Sequence, residues 1–213
     1  MVKSEIIDKL VERLASQAYN ITKRDETKYF YRLGVVSIYA IWEGFMHNFL
    51  ESYIKYINSL ELEITNTNVN MLTFYFDSYL DMKSPRVQHN TKKELTKNIL
   101  HMSKNKLLFD LGKDKDLVNK LLKSNVNYKI LENIFLCLSL DISSVAAYQD
   151  LLNKLLNFRN KISHGENAIV VNKEEVSSFI EMIENIMLDI VIIVENAVES
   201  KSYCEDQVPV ICS

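Results

Sequence analysis

Apolar side chains recur at three- and four-residue intervals along much of this chain, which is the spacing of amphipathic helices. The longest pattern runs from Asp25 or Thr27 to about Ser59 and predicts the central helix of a bundle. Its predicted buried residues are Tyr31, Val35, Ile38, Ile41, Trp42, Phe45, Phe49 and Ile57. A shorter pattern, capped by Ser4 and ending near Lys23, predicts a helix before it.

Shorter elements are predicted after the central helix. A polar, asparagine-rich stretch over residues 60–70 predicts a loop. An aromatic helix follows over residues 71–82 and is broken by Ser84-Pro85. Another apolar helix is predicted from Tyr128 to Leu140.

The last two predicted helices lie on either side of a glycine. The first, here called the motif helix, is LLNKLLNFRNKISHG over residues 151–165; residues 141–144 offer caps for it, and Gly165 supplies a left-handed stop. The second runs from Lys173 to about Glu199. Its predicted inward-facing residues are Val176, Phe179, Ile180, Ile183, Ile186, Met187, Ile190 and Val194. The predicted fold class is therefore all-α.

Composition favours one domain over two. The chain has 213 residues, of which 47% are hydrophobic, and this is enough for a proper core. Only four glycines and two prolines occur, which favours long helices with few tight turns. We therefore predict a single helical domain over residues 1–200 and a flexible tail over residues 201–213.

Several classes of protein are disfavoured. Cys137, Cys204 and Cys212 have no metal-ligand spacing, and an odd number of cysteines without Cys-x-x-Cys fits a reducing cytosol. The N-terminus lacks an apolar core of signal-peptide length. The most apolar run, residues 186–194, is well below the roughly 20 residues of a membrane span. The sequence thus predicts a soluble cytoplasmic protein with no metal and no other cofactor.

Charge is unevenly distributed along the chain. Residues 83–129 have twelve lysines and arginines against four acidic residues, a net +8, whereas residues 166–213 have a net −8. This basic insertion before the motif helix is a candidate RNA-binding surface, in which Phe109 and Tyr128 could stack on bases. The lysines assigned to phosphate contact are Lys92, Lys93, Lys97, Lys104 and Lys106. The alternative is that they only solvate the surface, because no RNA-recognition motif is present.

Three polar residues, Arg159, Asn160 and His164, occur near the C-terminal end of the motif helix. At about 100° per residue, Asn160 and His164 share one face, whereas Arg159 and His164 diverge by roughly 140°. Arg159 and His164 can act together if the last turn of the helix loosens, if the long arginine side chain reaches the histidine, or if a second copy of the helix packs across a two-fold axis.

These residues suit RNA cleavage without a metal. An imidazole can transfer a proton near neutral pH, a guanidinium can hold a phosphate in a bidentate fork, and an amide can orient either group. The alternative is a helix end where His164 complements the helix dipole and Arg159 is a solvated surface residue. With five arginines and four histidines, however, an Arg-x4-His pair arises by chance only about 0.1 times.

The sequence Arg159-Asn160-x-x-x-His164, at the end of a leucine-rich helix and followed by Gly165, resembles the HEPN superfamily. HEPN nucleases have Arg-x4-6-His with a polar residue just after the arginine. Residues 38–49, IYAIWEGFMHNF, resemble the Tyr-Ala-x-Trp-Glu-Gly helix of stand-alone prokaryotic HEPN proteins from toxin–antitoxin and host–phage conflict loci. The resemblance covers roughly residues 25–200.

The resemblance implies a homodimer that brings two motif helices together and a metal-independent endoribonuclease acting as a toxin or antiphage effector. It makes Arg159 and His164 catalytic and Asn160 supporting, with RNA as the substrate and an antitoxin or defence-system protein as a partner. HEPN toxins that are inactivated by AMPylation have a tyrosine two residues after the histidine, where this chain has Glu166. An antitoxin acting by that route is therefore not indicated.

Glu43 is predicted to be a second supporting residue. An acid inside so apolar a helix needs a partner, and the predicted partner is Arg159. Glu43 also shares a helix face with His47 and Glu51, which could form either a proton relay or a surface ion-pair ladder. Gly44 beside it would permit close helix approach.

Two functions from different classes remain. The first is a dimeric HEPN ribonuclease, and the second is a non-catalytic HEPN-like module that binds RNA, a nucleotide or a partner protein. The intact Arg-Asn-x-x-x-His sequence favours the ribonuclease, because a pure binding site has no need for a side chain that titrates near pH 7.

Overall fold

The described part of the chain is built from helices. A computed structural model describes residues 26–80, 106–109, 115–122, 125–166 and 169–205. Within these ranges it has no strand, only isolated bridges between Glu63 and Lys106 and between Thr67 and Cys204. The all-α prediction is confirmed. The helix predicted over residues 4–23 lies outside the described residues.

The described helices follow the predicted order. They are α1 (Glu26–Ser59), α2 (Val69–Leu80), α3 (Lys115–Leu122), α4 (Tyr128–Cys137), α5 (Gln149–Ser163) and α6 (Lys173–Ser200). Short 3-10 turns at Ile64–Asn66 and Ser143–Tyr148 precede α2 and α5. None of the described helices has an apolar stretch long enough to cross a bilayer.

Helix α1 is the centre of the bundle, as predicted, and packs against α3, α5 and α6. Its inward face is fully buried at Val35, Trp42, Met46, Leu50 and Ile54. Two residues that were predicted to be buried are not: Ile41 in α1 is 61% exposed, and Ile180 in α6 is 43% exposed. Both belong to helices with more apolar positions than one buried face can hold.

Local hydrogen bonds explain where the helices begin. The Asn172 side chain accepts from the Glu175 N–H at 2.8 Å, and the Glu175 carboxylate accepts from the Asn172 N–H at 3.3 Å, so a capping box starts α6. Asp141, which was expected to offer a cap for the motif helix, bonds to the start of the preceding 3-10 turn instead: it accepts from the N–H and hydroxyl of Ser143, and these bonds lower the pKa of Asp141. Helix α5 begins at Gln149, directly after this turn and without a side-chain cap.

The first residues of the predicted flexible tail are packed against the bundle. Tyr203 is buried, and its carbonyl accepts from the Asn68 N–H at 2.9 Å. The Glu205 N–H donates to the Asn66 carbonyl at 3.0 Å. Residues 201–205 therefore close over the loop before α2, and residues 206–213 lie outside the described ranges.

Candidate active site at the end of α5

The C-terminal end of α5 closes with a Schellman motif. Gly165 has a φ of +77°, and its N–H donates to the Ile162 carbonyl at 3.0 Å. The Glu166 N–H donates to the Lys161 carbonyl at 3.0 Å. These bonds leave His164 as the exposed C-cap, and its imidazole makes no hydrogen bond to any described residue. The histidine side chain is therefore accessible to a ligand.

Arg159 lies one turn earlier, half-buried, and is held on two sides. Its guanidinium carbon is 4.8 Å from the centroid of the Tyr39 ring, a cation–π contact. Its Nη1 donates to the Asn160 Oδ1 at 3.0 Å. Asn160, which was predicted to be a supporting residue, is therefore hydrogen-bonded to Arg159.

Tyr39 is itself fixed by a peptide unit from another part of the chain. The Val126 N–H donates to the Tyr39 hydroxyl at 2.8 Å, and the Trp42 Nε1 donates to the Val126 carbonyl at 3.1 Å. Both aromatic side chains are buried. Burial raises the pKa of Tyr39, and this effect outweighs the Val126 hydrogen bond, which lowers it. The hydroxyl therefore stays neutral.

The prediction that Glu43 pairs with Arg159 is wrong. No ion pair joins Glu43 to Arg159 in the described part of the chain; instead the charges of both act on Tyr39, Glu43 raising its pKa and Arg159 lowering it. Glu43 is only half-buried, so its carboxylate can be solvated without a cationic partner. The predicted ladder is not continuous either, because Glu51 pairs with Lys55 at 2.5 Å while His47 has no ion pair among the described residues.

Arg32 contributes to the site in a way that the sequence did not indicate. Its Nη2 donates to the Glu166 carbonyl at 2.8 Å, and its Nη1 donates to the Ile169 carbonyl at 3.3 Å. Arg32 in α1 therefore holds the backbone that follows His164. The position of Arg32 is the feature that could have indicated this contact, because Arg32 lies two helical turns before Tyr39 and on the same side of α1.

A family model described as RiboL-PSP-HEPN matches residues 3–196. The chain belongs to this HEPN family. The match includes both the helix with Tyr39 and the helix with Arg159 and His164, so the HEPN prediction is confirmed. As a HEPN-type module, the chain is of a kind that is often a ribonuclease. A search of curated proteins and a search of solved structures found no match.

The basic insertion of this HEPN protein is described only in part. Lys106 is exposed and pairs with Glu61, whose pKa this contact lowers, while the other four assigned lysines lie outside the described residues. The prediction that Phe109 and Tyr128 could stack on bases is wrong. Phe109 and Tyr128 are 4% and 8% exposed, and Phe109 packs on Phe74 with a 5.3 Å centroid separation. They belong to the core and offer no face to a base.

Among the described residues of this HEPN protein, no three His, Cys, Asp or Glu side chains lie together as a metal site would require. The candidate site consists of Arg159 and His164, with Asn160 and Tyr39 in contact with Arg159 and with Arg32 bonded to the Glu166 carbonyl just beyond His164.

Proposed function

We propose that this HEPN protein is a metal-independent endoribonuclease with Arg159 and His164 as its catalytic residues. The observation that carries the proposal is a guanidinium held by Tyr39 and Asn160 five residues before an accessible imidazole at the end of the same helix. A fixed cation can stabilise charge on a phosphate, and an imidazole can transfer the proton that the reaction must move.

In the proposed reaction, a ribose 2′-hydroxyl of the substrate attacks the adjacent phosphorus. One histidine removes the hydroxyl proton as the bond from O2′ to phosphorus forms. A second acid donates a proton to O5′ as the bond from phosphorus to O5′ breaks. Arg159 stabilises the additional negative charge of the phosphorane. The products are a 2′,3′-cyclic phosphate and a 5′-hydroxyl.

A homodimer supplies the second acid in this proposal. Because α5 is regular through Ser163, the five-residue separation keeps Arg159 and His164 on different sides of one helix. A second copy related by a two-fold axis would place the partner's His164 across the same cleft, so that one histidine acts as the base and the other as the acid.

In this proposal the two copies meet around the C-terminal ends of their α5 helices. His164 is exposed there, and Arg159 lies half-buried five residues earlier. The exposed apolar residues of α1, Phe30 and Ile41, do not serve this contact, because they lie roughly opposite Tyr39, the residue of α1 that contacts Arg159.

The proposed biological role is that of a toxin or antiphage effector. An endoribonuclease with an accessible site would damage the RNA of its own cell, so an antitoxin or defence-system protein would restrain it until it is needed.

The expected activity is RNA cleavage in excess EDTA that leaves 2′,3′-cyclic phosphate and 5′-hydroxyl ends. A metal ion is not needed, because side chains act as the base and the acid. Mass spectrometry of a cleaved oligoribonucleotide identifies the ends. The same oligonucleotide with 2′-O-methyl groups is the control and is expected to remain intact. Strict dependence on added magnesium, or cleavage of the control, would contradict the mechanism.

The basic insertion is expected to supply phosphate contacts. Changing Lys92, Lys93, Lys97 and Lys104 to glutamine should weaken binding of single-stranded RNA and reduce the slope of log K against log salt by roughly 0.7 per lost contact. Lys106 should contribute less, because Glu61 already pairs with it. Fluorescence titration across salt concentrations measures the slope, with Lys173→Gln as the control outside the insertion. An unchanged slope would leave these lysines as solvated surface residues.

A further inference from the structure

Arg159 is oriented by a residue outside the Arg-Asn-x-x-x-His sequence. The Arg159 guanidinium carbon lies over the Tyr39 ring, 4.8 Å from its centroid, and Asn160 accepts from Nη1 at 3.0 Å. A guanidinium has five N–H donors, and among the described residues only the bond from Nη1 to Asn160 uses one of them. The ring and the amide therefore fix where the guanidinium lies while other N–H groups stay available for a phosphate.

The ring of Tyr39 has little freedom to move. Tyr39 is 1% exposed, and its hydroxyl accepts from the Val126 N–H at 2.8 Å. Trp42, one turn further along α1, holds the carbonyl of the same residue at 3.1 Å. A buried ring with its far end bonded to a fixed peptide is a rigid support, whereas a long arginine side chain alone has many rotamers.

We propose that Tyr39 is a positioning residue for the ribonuclease: its buried ring holds the guanidinium of Arg159 with the N–H edge directed at the scissile phosphate. This inference rests on the proposed function. Tyr39 acts through Arg159 and does not contact the reacting atoms itself. Its contribution is to the geometry of the transition state, in which small misplacements of a charged group have large effects on rate.

Two substitutions of Tyr39 separate the ring from the hydroxyl. Tyr39→Leu removes the ring, and we expect kcat to fall by about 10- to 100-fold with a smaller change in KM. Tyr39→Phe keeps the ring and loses only the bond from Val126, so kcat should stay within about threefold of the wild type, although the Tm falls because a buried N–H loses its partner. In an Arg159→Ala background, Tyr39→Leu should cause no further loss of kcat, because both changes remove the same support.

Trp42→Phe is the matched control. It removes the other hydrogen bond to Val126 and lowers the Tm while leaving the contact between Tyr39 and Arg159 in place. A positioning role predicts that kcat follows the presence of the ring, whereas a purely structural role predicts that kcat follows the Tm. If Tyr39→Leu keeps the wild-type kcat, or if Tyr39→Phe and Trp42→Phe lose as much as Tyr39→Leu, the proposal is wrong.

A measurement that does not depend on RNA cleavage tests the positioning role of Tyr39 separately from the proposed ribonuclease activity. In protein labelled with ¹⁵N-arginine, the Arg159 Nε–H signal should show a ring-current shift that persists in Tyr39→Phe and disappears in Tyr39→Leu. A wild-type protein that cuts no RNA would refute the ribonuclease, and the presence or absence of this shift would still decide whether Tyr39 holds Arg159. An unshifted Arg159 signal in the wild type overturns the positioning role even if RNA is cut.

Discussion

Replacing His164 with alanine is expected to lower RNA cleavage by roughly 10²- to 10⁴-fold, the usual contribution of a general acid or base. Arg159→Ala should lower it by roughly 10²- to 10³-fold, because a preorganised cation at the developing charge is lost. Initial rates on a fluorogenic oligoribonucleotide measure both. Growth after induced expression gives a second measurement, in which only the wild type should arrest the cells.

The folds of these variants should survive. The His164 side chain is exposed and bonds to no described residue, and loss of the contact between the half-buried Arg159 and Tyr39 costs on the order of 1 to 2 kcal/mol of unfolding free energy. Lys161→Ala is the matched control, since it removes a cation from the same helix end without touching the site. Undiminished cleavage by His164→Ala or Arg159→Ala would show that the catalytic residues lie elsewhere.

RNA cleavage per mole of protein is expected to fall on dilution, because the proposed cleft is built from two copies of the chain. Light scattering gives the fraction of dimer at each protein concentration. Initial rates measured on the same samples should follow that fraction and approach zero well below the dissociation constant of the dimer.

Gly44→Phe is the control for this experiment. A Cβ at Gly44 meets no atom within 4 Å, and Gly44 lies roughly opposite Tyr39 on α1, so the added ring should leave the dimer and its activity unchanged. A monomer that retains full specific activity on dilution would rule out the shared cleft and would assign the reaction to Arg159 and His164 of one chain.

The main helices could be predicted because their signals are local. The apolar periods of α1 and α6 and the glycine after α5 each locate a helix within a few residues of its observed position. The position of Arg159 and His164 near the end of α5 followed from the same signals. Neither prediction required knowledge of how one helix packs against another.

The rest could not be predicted because it depends on packing between distant segments. Ile41 was expected to be buried, but a helix with apolar residues on most sides does not specify which of them face inward. Phe109 looked exposed among lysines, yet its partners Asn58 and Phe74 lie far away in sequence. The partner of Arg159 was assigned to Glu43, one turn away from the residue that contacts it, because a sequence does not give the register between α1 and α5.

The continuous helix α1 sets the spacing of two contacts at the site. Arg32 and Tyr39 brace the two ends of the Arg-x4-His sequence, and they lie on one side of a continuous helix, about 10 Å apart along its axis. One inserted or deleted residue between them would turn one brace by about 100° away from α5. Any change of length that preserves this site must therefore fall outside residues 32–39.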